Sequence, residues 1–127
     1  MDKNVVGWFE IPVRNMDRAV KFYETVLGFQ LHRQLMGPLE MAWFPWVENA
    51  VGSPGSLVYH TQYYTPSENG TLVYFTSPSG NLSVELARVE AAGGKILQPR
   101  TQISEEYGYM ALLTDTEGNR IALHSRE

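Results

Sequence analysis

A glutamate early in the chain, three histidines and a set of aromatic rings are the side chains here best suited to chemistry. Glu10 lies in "WFEIPV", where strand alternation puts Val6, Trp8, Glu10 and Pro12 on one side and Gly7, Phe9, Ile11 and Val13 on the other. Glu10, His60 and His124 offer oxygen and nitrogen donors that suit zinc, nickel or iron, provided the fold gathers them. Without a metal, a carboxylate walled by aromatics has its charged form disfavoured, so Glu10 can act as a base on a carbon acid with His124 as partner. Glu10 can equally be a rim residue paired with Arg120, Arg14 or a backbone donor. The third chemistry is stacking: Trp8, Trp43 and Tyr74, with Trp46, Tyr59, Tyr64, Tyr107 and Tyr109 behind them, can wall a pocket for a flat ligand or simply be core.

Other chemistries lack support. The absence of cysteine removes disulfides, thiolate nucleophiles and Cys-ligated metals. No G-x-G-x-x-G or P-loop occurs, and no serine sits in a strand-to-helix elbow. Ten basic against fourteen acidic residues, with no Lys/Arg cluster, give a nucleic acid nothing to track. No apolar run reaches the roughly 20 residues of a membrane helix, and "MDKNVVGWFE" lacks the core of a secretion signal. A cytoplasmic protein without nucleic-acid or membrane partners is expected.

The elements that must position these residues follow from periodicity. After the first strand, Asn15 is placed to cap a helix, Asp17 sits in its first turn, Ala19, Phe22, Tyr23, Val26 and Leu27 form one stripe, and Gly28 stops it. Phe9, Ile11 and Val13 are expected under that stripe, leaving Trp8 and Glu10 on the opposite face. "FQLHRQLM", "MAWFPW" and "SLVYHTQYY" read as strands, with His32 on a surface edge, and "TPSENG" as a linker. The order then repeats: strand "TLVYFT", helix "NLSVELARVEAAGG", and strands "KILQPRTQI", "YGYMALLTD" and "NRIALHS". A shift of about 66 residues carries Asn15 onto Asn81, Val20 onto Leu86, Tyr23 onto Val89 and Gly28 onto Gly94. The alternative is a single α+β domain whose halves match by chance.

The expected fold class is therefore α+β, with two tandem βαβββ modules in one 127-residue domain. Module one spans about 4–64, the linker about 65–70 and module two about 71–127. Helices cover one face of each sheet, and the other faces curve around a cleft.

"IPVRNMDRAVKFYETVLGF", "VEAAGGKIL" and "LLTDTEGNRIALHS" resemble the helix entry, second helix end and terminal hairpin of the glyoxalase, bleomycin-resistance and extradiol-dioxygenase (vicinal oxygen chelate) superfamily. "WFEIPV" and "ALHS" resemble its short glyoxalase-like bacterial group. The superfamily spans lyases, isomerases, dioxygenases and drug-sequestering proteins, often homodimeric. The resemblance implies that metal-using members take one His, Gln or Glu from the first and last strand of each module. Carried onto this chain, those positions are Trp8, Ser56 or a close neighbour, Tyr74 and Ala122, none a usual ligand. One rung along the same faces lie Glu10, Val58, Thr76 and His124, with His60 beyond. The expectation is a homodimeric small-molecule-binding protein with no metal at the family positions and no other cofactor. Its ligand-binding residues would be Trp8, Glu10, Trp43, Val58, His60, Tyr74, Thr76, Ala122 and His124. The alternative is a glyoxalase-type lyase or isomerase, with Glu10 and His124 as catalytic acid and base or as part of a relocated divalent-metal site.

Overall fold

Helix α1 (Met16–Leu27) shows why the chain folds as it does. Asn15 is extended, and its side chain accepts from the Arg18 N–H at 3.0 Å; Gly28, at φ +80°, closes the other end with its N–H on the Glu24 carbonyl. The buried stripe is Met16, Ala19, Phe22, Tyr23, Val26 and Leu27. Around it the computed structural model, which describes residues 2–127, places eight strands in two four-stranded sheets. The strands of module one are β1 (Phe9–Pro12), β2 (His32–Met36), β3 (Leu39–Trp43) and β4 (Gly55–Tyr59), in the order β1-β4-β3-β2. In module two β5 (Tyr74–Thr76), α2 (Leu82–Leu86), β6 (Lys95–Ser104), β7 (Gly108–Thr114) and β8 (Arg120–Ser125) repeat it as β5-β8-β7-β6. In each module the first and last strands run parallel and adjacent, β1 with β4 and β5 with β8.

The expected repeat is present. Asn81 caps α2 with the same φ of −135° and ψ of 105° as Asn15. Ile11, Val13, Phe22, Tyr23, Leu57, Phe75, Val89 and Leu123 are all buried in one core that spans both modules. Aromatic rings join the halves there: Phe75 of β5 lies 6.0 Å from Phe9, 5.7 Å from Tyr23 and 5.3 Å from Phe44, centroid to centroid.

Three elements differ from the sequence reading. Regular α2 is five residues long; beyond Leu86 the backbone closes tighter turns, with Arg88 N–H on Glu85 O and Val89 N–H on Leu86 O. A run ending in "AAGG" holds an α-helix weakly, yet Val89 stays buried. The strand expected over 56–64 stops at Tyr59, because His60 Nδ1 accepts the N–H groups of Gln62 and Tyr63 at 3.1 and 3.4 Å and holds a turn. The strand expected over 41–46 ends at Trp43, leaving Trp46 in the loop before β4.

The turn between β7 and β8 latches the modules together. Glu117, fully buried at its side chain, accepts from the N–H groups of Arg14 and Asn15 at 2.8 Å each and from Arg18 Nε at 2.7 Å. Asp115 accepts the Tyr23 hydroxyl at 2.6 Å, and Asn119 Nδ2 donates to Pro12 O at 2.8 Å. Burial first, then the neighbouring Asp115 carboxylate and its hydrogen bond, hold the Tyr23 phenol well above its ordinary pKa, so it remains a donor.

Gly94 permits the approach of α1 to module two. A Cβ there would lie 2.6 Å from Thr114 O and 2.7 Å from Phe22 Cε1. Gly94→Ala is expected to cost about 1–3 kcal/mol, read as a lower urea midpoint with the same slope; an unchanged midpoint would contradict the contact.

Candidate functional site

The strand ladders fix which side chains share the face away from the helices. Across module one, Glu10 is level with Ser56, Trp43 and His32, and the next rung holds Pro12, Val58 and Met41. In module two Tyr74 is level with Ala122 and Leu112, and Thr76 with His124 and Met110. One residue before the β1–β4 ladder, Trp8 falls beside Pro54, whose carbonyl accepts from Phe9 N–H at 3.2 Å. The counterpart of Ala122 in module one is therefore Pro54, not Ser56. Module two carries two more residues than module one between its helix cap and its last strand, a difference the constant 66-residue shift hides.

None of Trp8, Pro54, Tyr74 and Ala122 suits a divalent ion: indole, a proline side chain and a methyl have no donor, and a neutral phenol is a poor one. The relocated trio is not gathered either. Glu10 accepts from Tyr64 Oη at 2.7 Å and Trp8 Nε1 at 3.3 Å, His60 holds its own turn, and His124 Nε2 bonds the Tyr107 carbonyl. Among the described residues no group of three His, Cys, Asp or Glu is placed to hold a metal ion. The hydrogen bond to Glu10, then burial, raises the Tyr64 phenol above its ordinary pKa, so it stays the donor of that pair.

Two hollows lie where the modules meet. One, of about 480 Å³, is bounded by β1, the start of β8 and the linker, with Trp8, Glu10, Pro12, Thr71, Val73 and Arg120 among its walls. The other, of about 270 Å³, takes Phe9, Phe29, Phe44 and Trp46 from module one and Tyr74 and Thr76 from module two. A wider depression of about 590 Å³ over α1, among Asp17, Lys21, Glu24 and Arg33, lies outside this junction. The expected site residues are thus divided. Trp8 and Glu10 share the first hollow and Tyr74 and Thr76 the second, while His60 lines a third among Tyr59, Tyr64 and Pro66. Val58 and Ala122 are fully buried in their sheets, so neither presents a surface to a ligand without movement. Trp43 packs edge-on to Trp8, with ring centroids 5.6 Å apart. His124 lies four residues past Arg120 on β8, about 13 Å along the strand, so Glu10 and His124 do not form one acid–base pair.

Sequence reasoning passed over one wall of the first hollow and named Arg120 only as a possible partner of Glu10 at the rim. The linker contributes Thr65, Ser67 and Gly70, with Thr71 just beyond it. Arg120 also faces it, and the parity of β8 carried that signal, since Arg120, Ala122 and His124 alternate onto one side. Three buried polar atoms near this face have no hydrogen-bond partner: Trp43 Nε1, Ser56 Oγ and Arg120 Nε.

Residues 5–123 match the model of the Glyoxalase/Bleomycin resistance protein/Dioxygenase superfamily. The chain belongs to this superfamily. No curated protein matches it significantly. Among solved structures it is similar to a glyoxylase/bleomycin resistance protein/dioxygenase domain from Frankia sp. EAN1pec, with TM-score 0.73, 17% identity and 98% of each chain covered. It is also similar to TnmS3, an antibiotic binding protein from Streptomyces sp. CB03234, with TM-score 0.65, 22% identity, and 100% of this chain and 99% of that one covered. The E144Q mutant of glyoxalase I from Zea mays gives TM-score 0.72 at 19% identity over 94% of this chain, which spans only 46% of the maize chain. At these identities the likeness is one of fold, and the glyoxalase-superfamily fold agrees with the paired βαβββ reading.

Proposed function

We propose that this superfamily member binds a small organic molecule in the junction hollow through aromatic contact, without a metal at the family's ligand positions. The observation that carries the proposal is the row of side chains at those positions, Trp8, Pro54, Tyr74 and Ala122, which replaces donors with rings and hydrocarbon. Trp8 is 40% exposed and Tyr74 50%, so each offers ring surface at a wall of a junction hollow. A volume of about 480 Å³ falls in the range of ordinary ligand pockets. The fold likeness to an antibiotic binding protein over the full chain supports a binding role. The lyase or isomerase alternative needs Glu10 and His124 at one substrate, and their separate surroundings do not favour it. A homodimer and a cytoplasmic location belong to the same reading; the first gains support from exposed Leu35 and Met36 on edge strand β2, and no described helix is long and apolar enough to cross a membrane.

Native mass spectrometry of the purified protein, followed by a thermal-shift screen with the species that co-purify, tests the binding. A bound organic molecule that raises the melting point, with affinity about thirtyfold weaker in Trp8→Ala, is expected. Binding indifferent to Trp8→Ala would remove the assignment to this hollow.

A further inference from the structure

Arg120 is the cation of the junction hollow, and the fold gives it no counter-ion. The ion pairs among the described residues are Arg18–Glu117, Arg33–Asp17 and Arg33–Glu40; none involves Arg120. Its Nε is buried and has no hydrogen-bond partner, which is costly for a guanidinium whose donors form a rigid fork. Glu10 lines the same hollow without pairing to it; both Glu10 oxygens are occupied, one by the Tyr64 hydroxyl and the other by the Trp8 indole N–H. Val6, Pro12, Val73 and Ile121 beside Trp8 give the hollow an apolar side, and Thr65, Ser67, Thr71 and Asn119 a polar one.

We infer that Arg120 is a specificity-determining residue that receives the carboxylate of a planar, mostly apolar organic acid lying against Trp8 in this hollow. The inference rests on the binding reading above and names its ligand class. A guanidinium fork meets a carboxylate with two parallel N–H···O bonds, about twice as strong as neutral ones. The single negative charge matters. Among the described residues Arg120 is the only Lys or Arg lining the hollow, so a phosphate dianion would have one cation to neutralise it and the Glu10 carboxylate to repel it. Lysine at 120 would keep the charge and lose the fork. Arg120 thereby sets which molecule is held, while the aromatic wall supplies the contact area.

Isothermal titration of the full chain with 2-naphthoate and with 2-naphthamide, its neutral counterpart of the same shape, tests this. Wild type is expected to bind the carboxylate about ten- to a hundredfold more tightly than the amide. Arg120→Gln is expected to lose that preference, with Arg120→Lys in between. Equal affinity for the two probes in wild type, or a preference that survives Arg120→Gln, overturns the anion site and leaves the aromatic hollow standing. Failure of wild type to bind either probe overturns the organic-acid assignment. The hollow is then judged separately by whether Trp8→Ala weakens the co-purifying molecule. A melting temperature for Arg120→Gln equal to wild type shows that lost preference is not lost folding.

Discussion

Glu117→Ala is expected to lower the unfolding free energy by about 3–5 kcal/mol, because it removes the acceptor on which the N-terminus of α1 and Arg18 both depend. The substitution strips the N–H groups of Arg14 and Asn15 of their partner as well as breaking an ion pair. Burial alone would raise the Glu117 pKa, but the Arg18 side chain, the Asn15 N–H, Thr116 and the Arg14 N–H together outweigh it and pull it down to about 2, from an ordinary 4.5. The sign follows from that depression. The folded protein holds the ionised form more strongly than the unfolded chain, so the contribution is complete above about pH 4.5 and is lost as pH falls toward 2. With Arg18 half exposed, about 2 kcal/mol of pH-dependent stability is expected from this carboxylate. Urea unfolding at pH 7 and pH 3 measures it, and Glu117→Gln should flatten the difference. An equally steep acid loss in Glu117→Gln would assign the titration elsewhere. Because this latch joins the modules, ligand affinity at the junction should fall with it.

Phe75→Ala carries a cost of the same size, about 3–5 kcal/mol, for a different reason. Phe75 is the module-two member of the aromatic cluster with Phe9, Tyr23 and Phe44, so its removal leaves a void between the halves that three rigid rings cannot fill. The expected readout is a lower urea midpoint, together with a weaker ligand-induced shift, since Phe75 also lines the smaller hollow. A loss below about 1 kcal/mol would mean that the interface repacks and that the two modules do not depend on this cluster.

The sequence reading went furthest where local rules act alone. Asn15 and Asn81 each had to cap a helix, the stripe from Ala19 to Leu27 had to be buried, and alternation in "WFEIPV" had to separate Trp8 and Glu10 from Phe9 and Ile11; the structure has all three features. It fell short where non-local register decides. A constant repeat of 66 residues placed Ser56 opposite the family position of Ala122, whereas Pro54 occupies it, because the spacing between helix and last strand differs by two residues between modules. His60 was carried along the strand by parity, but its imidazole accepts local backbone N–H groups and bends the chain away from β4. The Glu117 latch pairs residues about a hundred positions apart, and no periodicity encodes such a contact. Arg120 was legible on β8 as a cleft-facing side chain; its lack of a counter-ion required the packed structure.

The most direct measurement combines metal content with ligand response. Protein purified without chelator is analysed for zinc, nickel, iron and manganese, and the melting-point shift given by its co-purifying organic molecule is recorded before and after EDTA. No near-stoichiometric metal and an identical shift in both states are expected. A stoichiometric ion whose removal abolishes the shift would contradict it, placing a coordination centre where Trp8, Pro54, Tyr74 and Ala122 are argued to hold none.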